Sequence, residues 1–279
     1  VDGETIEAFA VSLDRRLTEL RGDLREGMYA PSPLLGVCVP KPDGGLRRLA
    51  VPTVRDRVAQ EAARIVIDPL LDRTFETCSF GYRRGRSVQQ AVLRVQALRD
   101  EGYVWVVDAD VDSFFDEVDH EILLEAFGRH VSDPQVRSLV ERWVAAPVLF
   151  GSLRMEPHRG LPQGGPLSPV LANLYLDWFD EQVSRRGFKL VRFADDFLIL
   201  CTTRPAARRA LRLADTLLGE LCLALDREKT RLTSFEQGFR YLGTLFVRSL
   251  AVASPRRKSR LEVEAARDRG SRSRRRRWR

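Results

Sequence analysis

Two adjacent aspartates, Asp195 and Asp196, lie between apolar runs in Lys189-Leu190-Val191-Arg192-Phe193-Ala194-Asp195-Asp196-Phe197-Leu198-Ile199-Leu200-Cys201, a spacing that predicts a tight hairpin with both acids at its tip. Aspartate at such a tip often does no more than hydrogen-bond its own backbone. A second run changes the balance. Tyr103 to Val111 is nearly continuous in β-branched and aromatic residues, which predicts a buried strand, and it ends in Asp108, Asp110 and Asp112. Side chains repeat every two residues on a strand, so these three share a face and periodicity does not choose among them. If the two strands are neighbours, several carboxylates stand within a few ångströms, where they repel unless a cation neutralises them. Oxygen-only ligands suit Mg²⁺, which keeps waters and takes substrate phosphates as further partners. Two such ions activate an attacking hydroxyl and stabilise a leaving oxygen in phosphoryl transfer. Basic groups must then hold the rest of a triphosphate, and Lys41 and Arg47, beside the Gly-rich turn Lys41-Pro42-Asp43-Gly44-Gly45, are candidates.

The elements that must position these groups are legible in outline. Ile6, Phe9, Leu13, Leu17, Leu20 and Leu24 recur at intervals of three and four, predicting one amphipathic helix from Thr5 to about Tyr29. Leu34 to Val39 and Arg47 to Pro52 read as a hairpin, and Arg55 to about Arg73 as a helix. Ser87 with Gln90 forms a capping box for a helix to about Arg99, and Asp119 caps one to about His130, with another around Val136 to Trp143. After Arg159-Gly160-Leu161-Pro162-Gln163-Gly164-Gly165-Pro166-Leu167, Ser168 reads as an N-cap with Pro169 at the first helical position, launching Val170 to about Phe179. A helix from about Ala206 to Leu223 and short strands near Leu232 and Tyr241 follow.

The 279 residues suffice for one or two domains with a full core, and no apolar run approaches the roughly 18 residues of a membrane span. Cys38, Cys78, Cys201 and Cys222 are far apart, so neither a zinc cluster nor a disulfide framework is expected, and a reducing cytoplasm is the default location. The opening is acidic and then amphipathic, so no signal peptide is expected. The net charge of +7 is carried by one end: Arg256 to Arg279 holds 12 Lys and Arg against Glu262, Glu264 and Asp268, and the remainder is slightly acidic. A nucleic-acid site in the folded part must therefore come from local clusters, and the tail reads either as a solvated disordered end or as a phosphate-binding one.

The order of the pieces resembles a known family. K-P-D-G-G-L-R-R-L, S-F-G-Y-R-R-G-R-S, D-A-D-V-D-S-F-F-D, G-L-P-Q-G-G-P-L-S-P-V-L-A-N-L-Y-L, F-A-D-D, E-K-T and G-F-R-Y-L-G are similar, in sequence order, to the motifs of bacterial group II intron-like reverse transcriptases, from about Val1 to Val247. The wording around F-E-Q-G-F-R-Y-L-G-T-L-F is most similar to the reverse transcriptases of CRISPR adaptation modules. The resemblance implies an α+β right-hand polymerase, with an N-terminal helix and fingers over residues 1–100, an antiparallel palm sheet flanked by helices over 101–247, and a basic tail over 248–279. It implies an RNA-directed DNA polymerase that adds dNTPs to a primer 3′-hydroxyl, with an RNA template, a DNA or RNA primer, two Mg²⁺ ions for which Mn²⁺ can substitute, and no membrane.

Carried over by motif, Asp110, Asp195 and Asp196 become the metal ligands, which settles the choice among the three acids of the first strand. Lys41 and Arg47 grip the triphosphate, the backbone amides of Ser113 and Phe114 meet its outer phosphates, and Gln163 and Gly164 line the base and sugar pocket. Lys229 is expected near the pyrophosphate as a general acid, and the stretch from Gly238 through Phe239, Arg240, Tyr241, Leu242 and Gly243 to Phe246 as the primer grip. Phe115, five residues after Asp110, is expected to press on the sugar and exclude a 2′-hydroxyl, with ordinary core packing as the competing reading. Two positions depart from the family pattern: Phe193 stands where Tyr is usual and Arg48 where Pro is usual. The 33 residues after Phe246 are too few and too polar for a helical thumb, so an absent or truncated thumb is expected, with a fused or docked CRISPR adaptation integrase completing the duplex grip. The competing contexts are phage defence, a retroelement, and a non-catalytic nucleic-acid-binding module.

Overall fold

The computed structural model describes residues 2–40 and 45–253, so Lys41 and the Arg-rich tail lie outside the described residues. At its centre is an antiparallel sheet in the order β6-β7-β3-β8, formed by Lys189–Phe193 (β6), Asp196–Cys201 (β7), Trp105–Asp110 (β3) and Arg231–Ser234 (β8). The alternation expected of strands divides its side chains cleanly. Val107, Ala109, Phe197, Ile199 and Cys201 enter the larger core, with residues of helices His120–His130 (α6), Ser168–Arg185 (α8) and Arg204–Glu220 (α9). Val106, Val191, Leu198 and Leu200 enter a second core, closed by helix Val88–Asp100 (α4) and by a small sheet of Phe239–Tyr241 (β9), Thr244–Val247 (β10) and Leu250–Ala253 (β11).

A second four-stranded sheet, ordered β2-β1-β4-β5, joins Leu34–Pro40 (β1), Leu46–Val51 (β2), Val148–Phe150 (β4) and Leu153–Met155 (β5). The hairpin β1–β2 is the one expected from its glycine-rich turn. The β4–β5 hairpin and β11 were not expected, because three- and four-residue strands are too short to show a period. Helix Val54–Asp72 (α3) is launched by Thr53, whose hydroxyl accepts from the Asp56 amide, and Pro134–Val144 (α7) by Asp133. Together these elements form an α+β fold with antiparallel sheets flanked by helices, the class that the resemblance implies.

Three local expectations are corrected. The N-terminal helix is two, Ile6–Ala10 (α1) and Leu13–Glu26 (α2), separated where Ser12 leaves helical geometry (φ −128°, ψ 40°) and its hydroxyl accepts from Arg16 instead of capping. Of the six apolar residues that set the expected period only Phe9 and Leu20 are buried, so no continuous stripe demands one straight helix. Ser168 is not the cap of α8. It is already helical, and its hydroxyl donates to the Pro162 carbonyl at 2.6 Å, tying the helix start to the preceding loop. That helix also continues beyond Phe179 to Arg185, because Phe179, Asp180 and Val183 are all buried.

Candidate active site

The pairing of β3 with β7 places Asp110 directly opposite Asp196, and Asp108 opposite Leu198 on the same face. Asp195 occupies the turn before β7, where Ala194 takes a left-handed φ of 61°. The two acids of the hairpin are thus not equivalent: Asp195 is in the turn and Asp196 opens the strand. Asp108, 8% exposed, is matched across the sheet by Arg231, whose Nη2 lies 2.7 Å from Oδ2. Asp112 leaves the strand altogether and accepts from the Ser113 hydroxyl in solvent. The structure therefore separates three acids that periodicity made equivalent: one paired with Arg231 within the sheet, one facing Asp196, one exposed.

Lys229 reaches the same point from the loop after α9. Its Nζ donates to Asp110 Oδ2 at 2.5 Å and lies 3.1 Å from Asp226 Oδ2. Asp226 sets this reach by accepting from the amides of Glu228 and Lys229, while its own amide donates to the Asp110 carbonyl. The hydrogen bond to Asp110 raises the Lys229 pKa, so the ammonium stays charged. One ammonium does not balance the site. Burial, then the charges of Asp108, Asp110 and Asp195, push Asp196 up to about 7, and burial with the Asp110 charge raises Asp195. Among the described residues no three of these carboxyl groups form a preformed metal cluster. The donor set nevertheless fits a divalent cation: its oxygens are anionic, mutually repelling and short of positive charge.

Several other expected residues gather about a cavity that none of Asp110, Asp195 and Asp196 lines. Phe114 is buried against Tyr175, whereas Phe115, edge-on to it at 5.2 Å, is half-buried and lines a cavity of about 190 Å³ with Gln163, Arg48 and Ala50. The Gln163 carbonyl accepts from the Ala50 amide at 2.8 Å, joining this loop to β2. Gly164 has φ 135°, and a Cβ there would stand 3.1 Å from the Ala50 carbonyl oxygen, so only glycine lets the loop approach the strand this closely. Ser113, at φ 46°, starts the short helix Phe114–Glu117 (α5). Arg47 is exposed on β2, and its charge acts on both Asp195 and Tyr82.

The expected primer grip divides in two. Phe239 and Tyr241 are buried, and the Tyr241 hydroxyl donates to the Val191 carbonyl at 3.1 Å, behind the β6–β7 hairpin. Arg240 and Gly243 are exposed and Leu242 and Gly238 half-buried, leaving these as the parts of the segment with a surface to offer. Alternation within a strand explains the division. Sequence reading passed over Arg231, Asp226, Arg192 and Tyr82. Of these only Asp226 carried a local signal, its spacing of three before Lys229 matching an Asx turn.

Comparison with known proteins gives the following. The family model described as reverse transcriptase (RNA-dependent DNA polymerase) matches residues 39–246. Protein YkfC of Escherichia coli K12 is 31% identical over 287 aligned residues, covering 89% of this chain and 75% of YkfC. The group II intron-encoded protein LtrA of Lactococcus lactis subsp. cremoris is 30% identical over 190 residues, covering 68% of this chain and 31% of LtrA. Among solved structures, a chain of the partial Cas6-RT-Cas1–Cas2 complex is 35% identical, with 78% of this chain and 37% of that chain covered and a TM-score of 0.46. The chain thus spans about a third of LtrA and three quarters of YkfC.

Proposed function

Because this chain belongs to the reverse transcriptase (RNA-dependent DNA polymerase) family, we propose that it extends a primer 3′-hydroxyl with deoxynucleotides on an RNA template, at the site built on Asp110, Asp195 and Asp196. The observation that carries this is the register of β3 on β7, which sets Asp110 against Asp196 beside a turn bearing Asp195; Phe115 and Gln163 share the lining of one cavity. The family uses divalent metals; here Mg²⁺, held by the three aspartates, would supply charge neutralisation and activation of the attacking hydroxyl.

The chain's own residues do the rest. Arg47, with Lys41 beside the same turn, draws the triphosphate toward the fingers sheet, and the amides of Ser113 and Phe114 receive its outer phosphates. Phe115 closes the cavity on the side of the sugar, where a ring leaves no space for a 2′-hydroxyl. Lys229, aimed by Asp226, is the proton source for departing pyrophosphate. Exposed Arg240 and Gly243 are the surface offered to the primer strand. A role in CRISPR adaptation from RNA, with an adaptation integrase as partner, is supported by the wording of Phe235 to Phe246.

Primer extension with each dNTP and rNTP on RNA and DNA templates tests the reading. Deoxynucleotide addition on RNA, dependent on Mg²⁺ or Mn²⁺, is expected. A folded chain that adds no nucleotide to any primer under these conditions overturns it, and addition confined to rNTPs overturns the sugar selection. Co-elution of the chain with an adaptation integrase encoded beside it is expected for the CRISPR context, and its absence at micromolar concentrations counts against that context alone.

A further inference from the structure

The turn bearing Asp195 is held from behind by a side chain that the transfer chemistry does not use. Arg192 is 1% exposed and sits on the face of the central sheet opposite the aspartates, since it pairs with Phe197 while Phe193 pairs with Asp196. Its Nε donates to both oxygens of Asp180 on α8, at 2.8 and 3.0 Å, and its Nη2 donates to the second of them. Its Nη1 does something else: it donates to Asn173 Oδ1 at 3.0 Å and to the Ala194 carbonyl at 2.9 Å.

Ala194 is the left-handed residue of the hairpin, a conformation that a residue with a Cβ adopts only when its surroundings impose it. The surroundings are visible. Arg192 fixes the Ala194 carbonyl, and the segment Cys78–Gly81 lies against the same strand end, with the Arg192 amide donating to the Cys78 carbonyl (2.9 Å) and the Phe80 amide to the Arg192 carbonyl (2.8 Å). A Cβ at Gly81 would collide with the Ala194 amide nitrogen. Asn173 closes the ring, its Nδ2 donating to the Gly81 carbonyl at 2.8 Å while its Oδ1 accepts from Arg192. Neutralising Asp180 needs only a charge, which a lysine would supply as a point. Reaching Asp180, Asn173 and Ala194 at once needs a planar fork.

We propose that Arg192 is a positioning residue for the Asp195–Asp196 pair, locking the Ala194 carbonyl to α8 and to the Cys78–Gly81 segment so that both carboxylates are in register before substrate arrives. This rests on the polymerase reading above.

The test compares Arg192→Lys with Asp180→Asn in the full chain. Arg192→Lys keeps the buried charge pair but loses the fork, so kcat for single-nucleotide insertion should fall by about tenfold to a hundredfold while KM for dNTP stays nearly parental. Its affinity for Mn²⁺, read by electron paramagnetic resonance without any turnover, should weaken in step. Asp180→Asn keeps an acceptor and leaves Nη1 on Ala194, so its melting temperature should fall while kcat per folded molecule and Mn²⁺ affinity hold. If Arg192→Lys does not fold, Asn173→Ser, which leaves the ion pair intact, carries the same expectation. Parental kcat and Mn²⁺ affinity in the Arg192 or Asn173 variant, or losses that track melting temperature equally in both members of the pair, overturn the proposal. A parental chain that extends no primer overturns the polymerase reading instead, and the Mn²⁺ measurement then decides the positioning role on its own.

Discussion

Asp196 faces Asp110 across β7 and β3, and burial together with the repelling charges of Asp108, Asp110 and Asp195 makes it harder to ionise. Replacing Asp110 or Asp195 by Asn removes a charged oxygen donor and relieves that repulsion. Both variants should therefore fold at least as well as the parent and lose extension by about a thousandfold or more. Steady-state extension alongside thermal melting checks this, and near-parental extension by either variant would remove that aspartate from the metal site. Phe115 is a second case in which the residue decides. It is half-buried, packing against the larger core while bordering the cavity beside Gln163, and its neighbour Phe114 is fully buried. Phe115→Val should therefore raise rNTP incorporation relative to dNTP by about tenfold or more, a change of only about 1.4 kcal/mol in the difference between the two transition states. Unchanged discrimination in single-nucleotide insertion would return Phe115 to the core.

Helix α8 packs in the larger core and supplies Asn173, Tyr175, Asp177 and Asp180 to polar work. Tyr175 donates to the Leu221 carbonyl at 2.6 Å and accepts from the Asp119 amide, linking α8 to the caps on either side of it. Asp177 accepts from the Glu76 amide at 3.1 Å, yet burial, reinforced by Asp180, pushes its pKa up to about 6. A carboxyl raised above its unfolded value near 4 contributes fully below pH 4, and that contribution is lost as pH rises through 6. Asp177→Asn, which keeps a carbonyl for Glu76 and stays neutral, should thus gain stability over the parent between pH 5 and pH 8 by about 1 kcal/mol, after a discount for partial solvent screening. Melting at both pH values reads the difference, and a difference that is flat or shrinks with pH would show that Asp177 is better stabilised when charged.

Across the whole molecule, the positive charge is concentrated from Arg256 to Arg279, while the remainder is slightly acidic. Nucleic-acid affinity should divide accordingly. Deleting Arg256 to Arg279 removes 12 cationic side chains, and each phosphate that is no longer neutralised reduces the slope of log affinity against log salt by roughly 0.7 to 0.9. Binding to a primer–template duplex should weaken and its salt dependence flatten, with the insertion rate at saturating duplex unchanged. Fluorescence anisotropy between low and moderate salt measures both quantities, and an identical slope would show that the tail neutralises no phosphates.

Periodicity and caps alone determined where most elements lie: β3, β6, β7, α3, α4, α6, α7 and α9 all fall within a few residues of expectation, because each has a period or a cap written locally. The ordered motifs determined the family. What local pattern could not decide was which acid of β3 is matched with which partner. Asp108 and Asp110 share a face, and it took the arrival of β8 with Arg231 on one side, and of β7 with Asp196 on the other, to pair the first with an arginine and set the second against another carboxylate. The same holds for Ser168, whose hydroxyl bonds a loop instead of a helix end, and for Phe239 and Tyr241, buried by a sheet whose third strand has no readable period. Arg192 is the extreme case. In the sequence it is one charge in an apolar strand, and only the convergence of α8 and the Ala194 turn supplies the carboxylate, the side-chain amide oxygen and the carbonyl that its fork requires, while the distant Cys78–Gly81 segment pairs with its backbone.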